Sequence, residues 1–227
     1  MQVLGGEPPS LGHIEGDSST AVPRRLLGVY ARFAKPIIDF LIGLVLLVLF
    51  SPLILVAAVM ILATMGQPVF YSQERIGKHG ETFRLHKLRT MVPDRRKARS
   101  HDYEGPDRRR THKSPNDPRV SRVGKLLRSM RLDELPQFWN VVKGDMSLVG
   151  PRPEMPEIVR SYEPWQHQRH VVKPGVTGPW QISHRNGKLM HECTELDIDY
   201  INQVGLWYDL KIMASTPRAM MGGRKGY

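Results

Sequence analysis

From residue 40 to residue 63 the chain is apolar at every position but Ser51. As a helix this stretch reaches about 36 Å, enough to cross a bilayer core of about 30 Å, and it lacks the polar face of a surface helix. It begins too far into the chain, and is too long, for a cleavable signal sequence. Ser51-Pro52 falls at its centre, where a proline removes a backbone hydrogen bond and kinks or breaks a helix. Both flanks are basic, with Arg24, Arg25, Arg32 and Lys35 before and Arg75, Lys78 and Arg84 after. The positive-inside rule needs an asymmetry that is missing here. Two readings stay open: a kinked transmembrane helix, or a re-entrant helical hairpin with halves 37–50 and 52–65. Each half would be about 21 Å long, enough to dip into one leaflet and return.

Beyond this segment the periodicity changes. Residues 68–91 alternate around a glycine-bracketed turn at 77–80, which predicts a short β-hairpin. Residues 93–118 hold four prolines among dense charges and predict a surface loop. "RVGKLLRSMR" predicts a short basic helix. Asp133 is then placed to cap a second helix running to about residue 143, with Pro136 in its first turn and Gly144 closing it. "VKPGVTGPWQIS" reads as loop and strand. Leu196, Tyr200, Val204, Trp207, Leu210 and Met213 recur at helical spacing, predicting one helix over 194–214 that ends near Pro217 and serves as core or as a membrane-interface helix. The expected organisation is a polar leader (1–32), a membrane segment (33–66) and a cytoplasmic domain (67–227).

Charge narrows the partners. The formal net charge is +11, and the segment from Arg84 to Arg131 holds 16 Lys and Arg against 5 Asp and Glu, the whole of the excess. Such a block implies a polyanion: nucleic acid, anionic lipid or a phosphorylated substrate. A single cysteine, Cys193, excludes an internal disulfide.

The densest chemistry lies in "LRSMRLDELPQFWNVVKGDMSLVGPRP". Asp133 and Glu134 stand side by side among Arg128, Arg131 and Arg152. Arginine forks and free helix N–H groups suit phosphate, yet two carboxylates would repel it. They fit if one holds a divalent cation and the other attacks phosphorus. The plainer reading is a helix cap beside a surface ion pair.

Five stretches, "KPIIDFLIGLVLLVLFSPLILVA", "FRLHKLRTM", "NDPRVSRVGKLLRSMRLDELPQFWNVVKGDMSLVGPRPEMP", "KPGVTGPWQISHRNG" and "LDIDYINQ", resemble in order the bacterial sugar transferases, over roughly residues 33–227. These are monotopic phosphoglycosyl transferases, and the likeness is to their minimal form. The resemblance implies an α+β, mostly helical fold: a re-entrant membrane helix broken at Ser51 and Pro52, and a small domain with interfacial helices and a β-hairpin. It places the protein on the cytoplasmic face of the bacterial inner membrane. It implies Asp133 as nucleophile on a nucleotide-sugar, expected to be UDP-linked, and Glu134 as the Mg²⁺ ligand. It also implies Arg128, Arg152 and Arg185 on phosphate or anionic substrate, Lys87 and Arg89 in support, and Pro151 and Pro153 fixing a turn near the nucleotide. The acceptor would be polyprenyl (undecaprenyl) phosphate, with membrane lipid as a further partner, no nucleic acid, and a homodimer as one expected assembly. The rival is a membrane-tethered nucleic-acid or anionic-lipid binder that ignores Asp133. A lipid-diphosphate hydrolase using the same dyad is a third reading.

Overall fold

The computed structural model describes residues 28–92, 119–183 and 189–221. A π-helical turn, Tyr30–Ala34, leads into α1 (Lys35–Met65), the one helix among the described residues long and apolar enough to cross a membrane. One stripe of α1 faces the rest of the protein. Lys35, Asp39, Gly43, Ala57 and Ile61 are buried, and Leu46, Phe50, Ile54 and Met65 half-buried, at steps of three and four. The opposite face exposes Val45, Val48, Leu49, Leu55, Val56, Val59 and Leu62.

The expected separation of α1 into two halves is not seen: the helix runs through Pro52. The residues explain why. Pro52 has no N–H for the carbonyl of Val48 four residues back, and the Ser51 hydroxyl donates to that carbonyl at 2.7 Å. The orphaned acceptor is satisfied within the helix, as an apolar surrounding demands. Both ends of α1 nevertheless meet the same domain. Lys35 pairs with Asp209 at the start, and Arg89 reaches the carbonyls of Met65 and Gly66 at the end.

The predicted hairpin forms. Strands β1 (Phe70–Ile76) and β2 (Thr82–Leu88) pair antiparallel, Phe70 opposite Leu88 through Ile76 opposite Thr82. The predicted basic helix is α2 (Arg122–Ser129), capped by the Ser121 hydroxyl, which accepts from the Gly124 N–H at 2.8 Å. Gly124 lies against β2's continuation: a Cβ there would sit 2.0 Å from the Thr90 carbonyl oxygen. Glycine-to-alanine in a helix gains about 1 kcal/mol of propensity, but overpacking against fixed backbone costs about 1–3 kcal/mol. The clash wins. Gly124→Ala is expected to lower the melting temperature and, by moving Thr90, to slow any reaction that uses Arg128; an unchanged melt contradicts this contact.

The expected cap at Asp133 is corrected. Leu132–Glu134 forms a 3₁₀ turn after Arg131, which is left-handed at φ 53°, and α3 (Gln137–Lys143) starts only after Pro136. Pro136 cannot donate, so the chain advances by three-residue bonds: Glu134 N–H to the Arg131 carbonyl, Leu135 N–H to that of Leu132, and Phe138 N–H to that of Leu135. Gly144, at φ 92°, closes α3 as expected. Asn140 bolts α3 to β2, donating to the Arg84 carbonyl at 2.8 Å and accepting from the His86 N–H at 3.1 Å.

A second, parallel pair went unforeseen at its first strand: β3 (Ser147–Val149) beside β4 (Gly175–Thr177). The stretch between them holds short α4 (Pro156–Val159) and a 3₁₀ run, Pro164–Val171. After α5 (Pro179–Ile182) and a 3₁₀ turn at Met190–Cys193, the single helix expected over 194–214 is two, α6 (Glu195–Gln203) and α7 (Leu206–Met221), parted at Val204-Gly205. α7 continues through Pro217. Tyr200, Ile201 and Ile212 join Leu85, Val141, Met146, Leu148, Val149 and Val172 in the main core, while Trp207 stands 82% exposed. Ala57 and Ile61 of α1 pack with Leu88 and Leu127 in a second core. The class is mostly helical α+β, and the expected loop at 93–118 lies outside the described residues.

Candidate active site

Two limbs converge on the acidic pair. On one, the 3₁₀ turn presents Asp133 and Glu134 at the head of α3. On the other, β3 runs into Pro151-Arg152-Pro153. Each carbonyl of that turn is held: Pro151 by the Gly175 N–H at 2.8 Å, Arg152 by Arg169 Nη2 at 2.7 Å, Pro153 by Arg75 Nη1 at 3.4 Å. The Ile76 N–H donates to the Glu154 carbonyl at 2.9 Å, tying the turn to β1. A backbone fixed at successive residues leaves Arg152 little choice of direction, and its Nη2 donates to Glu134 Oε1 at 2.7 Å.

Lys87, on β2, donates to the same oxygen at 2.9 Å, and Arg131 Nη1 stands 3.9 Å from Oε2. Arg128 Nε donates to the Thr90 hydroxyl at 2.8 Å. The two carboxyls are therefore unlike. Burial pushes the Asp133 carboxyl up and the Glu134 charge adds to it, against Lys87, Arg128 and Arg152, leaving it at about 6. For Glu134, burial is more than offset by Arg152 and Lys87, which hold it well below the usual glutamate range. Neighbouring carboxyls driven apart in this way are suited to separate roles.

A sequence profile of bacterial sugar transferases matches residues 30–223. The chain belongs to the bacterial sugar transferase family. Among similar curated proteins, a UDP-N-acetylgalactosamine-undecaprenyl-phosphate N-acetylgalactosaminephosphotransferase of Aeromonas hydrophila is 38% identical over 201 residues, 86% of this chain and 45% of the relative. The exopolysaccharide production protein ExoY of Rhizobium meliloti is 38% identical over 199 residues, 86% of this chain and 88% of the relative. An undecaprenyl-phosphate galactose phosphotransferase of Salmonella typhimurium is 33% identical over 196 residues, 84% of this chain and 41% of the relative. The chain thus spans under half of two of these relatives and most of the third.

In this member of the family, Asp133, Glu134, Lys87, Arg128 and Arg152 come together, with Pro151 and Pro153 framing Arg152. Arg89 does not join them. Its Nη1 donates to the Gln67 carbonyl at 2.9 Å and its Nη2 to that of Met65 at 2.8 Å and to that of Gly66. A cation on the last carbonyls of a helix is a favourable cap, so Arg89 serves the end of α1 rather than phosphate. Arg185 lies outside the described residues. Ser51 and Pro52 sit midway along α1.

No group of three or more His, Cys, Asp or Glu side chains is arranged for a metal among the described residues. Mg²⁺ needs less than that from protein, one or two carboxylates completed by substrate phosphates and water. The hard oxygens of Asp133 and Glu134 fit that mode, with Oε2 the Glu134 oxygen that takes neither of the two short bonds.

Sequence reasoning passed over the residues that hold the arginine turn. Arg169 and Asp197 form a pair at 2.8 Å with side chains 1% exposed. Glu154 is buried, with Arg75 at 3.7 Å. Burial, and then the Arg152 charge, lower the Arg75 guanidinium to about 10.

Proposed function

We propose that this sugar transferase moves a sugar-1-phosphate from a UDP-sugar to undecaprenyl phosphate through a covalent aspartyl intermediate. The observation that carries the reading is the asymmetric dyad: Glu134 held as an anion by Lys87 and Arg152, and Asp133 beside it with a carboxyl at about 6. The bridged Glu134 anion fixes two cations close to Asp133, where a diphosphate can share them.

In the first half, an Asp133 oxygen attacks the β-phosphorus. The bond to the bridging oxygen breaks, and UMP leaves with that oxygen and its electron pair. In the second half, an oxygen of the polyprenyl phosphate attacks the same phosphorus and the Asp133–phosphorus bond breaks, restoring the carboxylate and giving polyprenyl-diphospho-sugar. Arg152, Lys87 and Arg128 orient and neutralise the phosphates in both halves. Glu134 would hold Mg²⁺, which when bound adds positive charge beside the leaving phosphate.

The acceptor explains the apolar helix. In this reading α1 is monotopic: it beds in one leaflet of the bacterial inner membrane without crossing to the other side, keeping the domain on the cytoplasmic face. Basic residues on both flanks and the packing of both ends of α1 on one domain support that topology. The deciding assay offers labelled UDP-sugars with and without undecaprenyl phosphate. A transferase forms labelled lipid only when acceptor is present. Phosphosugar released to water in its absence at an equal rate points instead to a hydrolase, and indifference to every donor points to a binding protein.

An Asp133 nucleophile must be ionised, so its titration sets the acid limb of the rate. UMP release in the first half-reaction is expected to fall about tenfold per unit as pH drops below about 6. A rate flat from pH 7 to pH 5 contradicts this assignment.

A further inference from the structure

The apolar helix carries a buried carboxylate that the proposed chemistry does not use. Asp39 lies one turn into α1 and is buried. Its Oδ1 accepts from the Leu148 N–H at 3.1 Å and its Oδ2 from the Ser147 hydroxyl at 2.7 Å. Both partners belong to β3. Lys35, 3.8 Å from Asp39, is anchored to Asp209 at 2.6 Å, and Tyr200 donates to the other oxygen of Asp209 at 2.8 Å. A carboxylate taken out of water needs such compensation. The network supplies it at one place, where the start of α1, strand β3 and helix α7 meet.

Four residues beyond Leu148, the same strand delivers Arg152 to Glu134. Between them the Gly150 N–H donates to the Thr177 carbonyl at 3.0 Å and the Gly175 N–H to that of Pro151 at 2.8 Å, so β3 and the arginine turn are one extended, doubly held segment. The other limb rests on the same helix. A Cβ on Gly43 would approach Val141 Cγ1 of α3 to 2.8 Å, and Phe50 stacks on Phe138 with centroids 6.0 Å apart. The membrane helix therefore touches both limbs that form the site, and it grips the Arg152 limb through hydrogen bonds of fixed length.

We propose that Asp39 is a positioning residue: by fixing β3 to the membrane helix it sets the distance from Arg152 to the Asp133–Glu134 pair. The inference rests on the transferase reading for what that distance does. It makes the site's geometry conditional on how α1 is seated against β3.

The test uses the full chain in native membranes or lipid nanodiscs. Radiolabelled UDP-glucose, UDP-galactose and their N-acetyl analogues are offered, and UMP release is followed. Asp39→Leu keeps the branched outline, with bulkier methyl groups, and removes both acceptors. Asp39→Asn keeps a carbonyl oxygen for the Leu148 N–H. Asp39→Leu is expected to slow turnover at least tenfold and Asp39→Asn to restore most of it, with membrane association unchanged in both. In an Arg152→Ala background, Asp39→Leu should add less than a twofold further loss, because residues acting through one another are not additive. Ser147→Ala, a milder change should Asp39→Leu fail to accumulate, is expected to show a smaller loss that likewise vanishes in that background. Wild-type rates in Asp39→Leu, or losses that multiply with Arg152→Ala, overturn the inference and leave the transferase reading intact. If the wild-type protein releases UMP from no donor, the transferase reading fails and the positioning role with it.

Discussion

Asp133→Asn is expected to abolish turnover, by on the order of 10³-fold or more, since removing a covalent nucleophile elsewhere costs up to about 10⁶. The carboxamide has the same shape but cannot form the acyl phosphate. The fold should not suffer. Burial and the Glu134 charge raise Asp133 to about 6, above its ordinary value of 3.8, so the native state holds this proton more tightly than the unfolded chain does. Whatever Asp133 contributes to stability is then present below about pH 4 and lost as pH rises through about 6. At pH 7 the neutral variant should melt no lower than the wild type, and it should still be found in the membrane fraction. A variant that is inactive because it is unfolded, or one that keeps full turnover, contradicts the role assigned to this residue.

The second large effect lies away from the reacting atoms. Arg169 is buried between Asp197 and the Arg152 carbonyl, with distances of 2.8 and 2.7 Å. Removing one partner of a buried ion pair costs about 3–5 kcal/mol, because the other charge stays behind in a medium that cannot solvate it. Arg169→Met is expected to cost that much at pH 7. The penalty should shrink below about pH 6: burial has already pushed Asp197 to about 6 with the arginine present, and without it the carboxyl takes up a proton more readily still. The double variant Arg169→Met, Asp197→Leu removes both charges and should recover most of the stability. It should not recover activity, since the Arg152 carbonyl has lost its clamp. Denaturant melts of the three proteins, set beside their UMP release, separate the two contributions. Equal recovery of both contradicts the clamp.

What the sequence disclosed follows from how local each signal is. The hairpin was legible because alternation and a glycine-bracketed turn lie within some twenty residues. The site was legible because Asp133, Glu134 and the arginine turn share one segment with a family pattern. Arg169 and Asp197 were not, for they meet the turn only through tertiary packing, and a lone arginine between two histidines carries no spacing signal. The parallel pair Ser147–Val149 and Gly175–Thr177 is three residues a side, too short for alternation to register. Asp133 looked like a helix cap because Pro136 suits a first helical turn, whereas the absent N–H instead delayed the helix and left the dyad on a 3₁₀ turn. Arg89 shared a strand-like run with Lys87, and nothing local said that the end of α1 would claim it. Ser51 explains the remaining difference, since its hydroxyl bonds the carbonyl that Pro52 leaves unmatched and the helix carries on.

The covalent bond proposed to form at Asp133 during turnover is open to direct measurement. Mixing the protein with a reactive UDP-sugar in the absence of polyprenyl phosphate, quenching within the first turnover and weighing its peptides should reveal one sugar-phosphate adduct, on the peptide that carries Asp133, discharged when the lipid acceptor is added. Product formed with no adduct at any time, or an adduct on another residue, would contradict it.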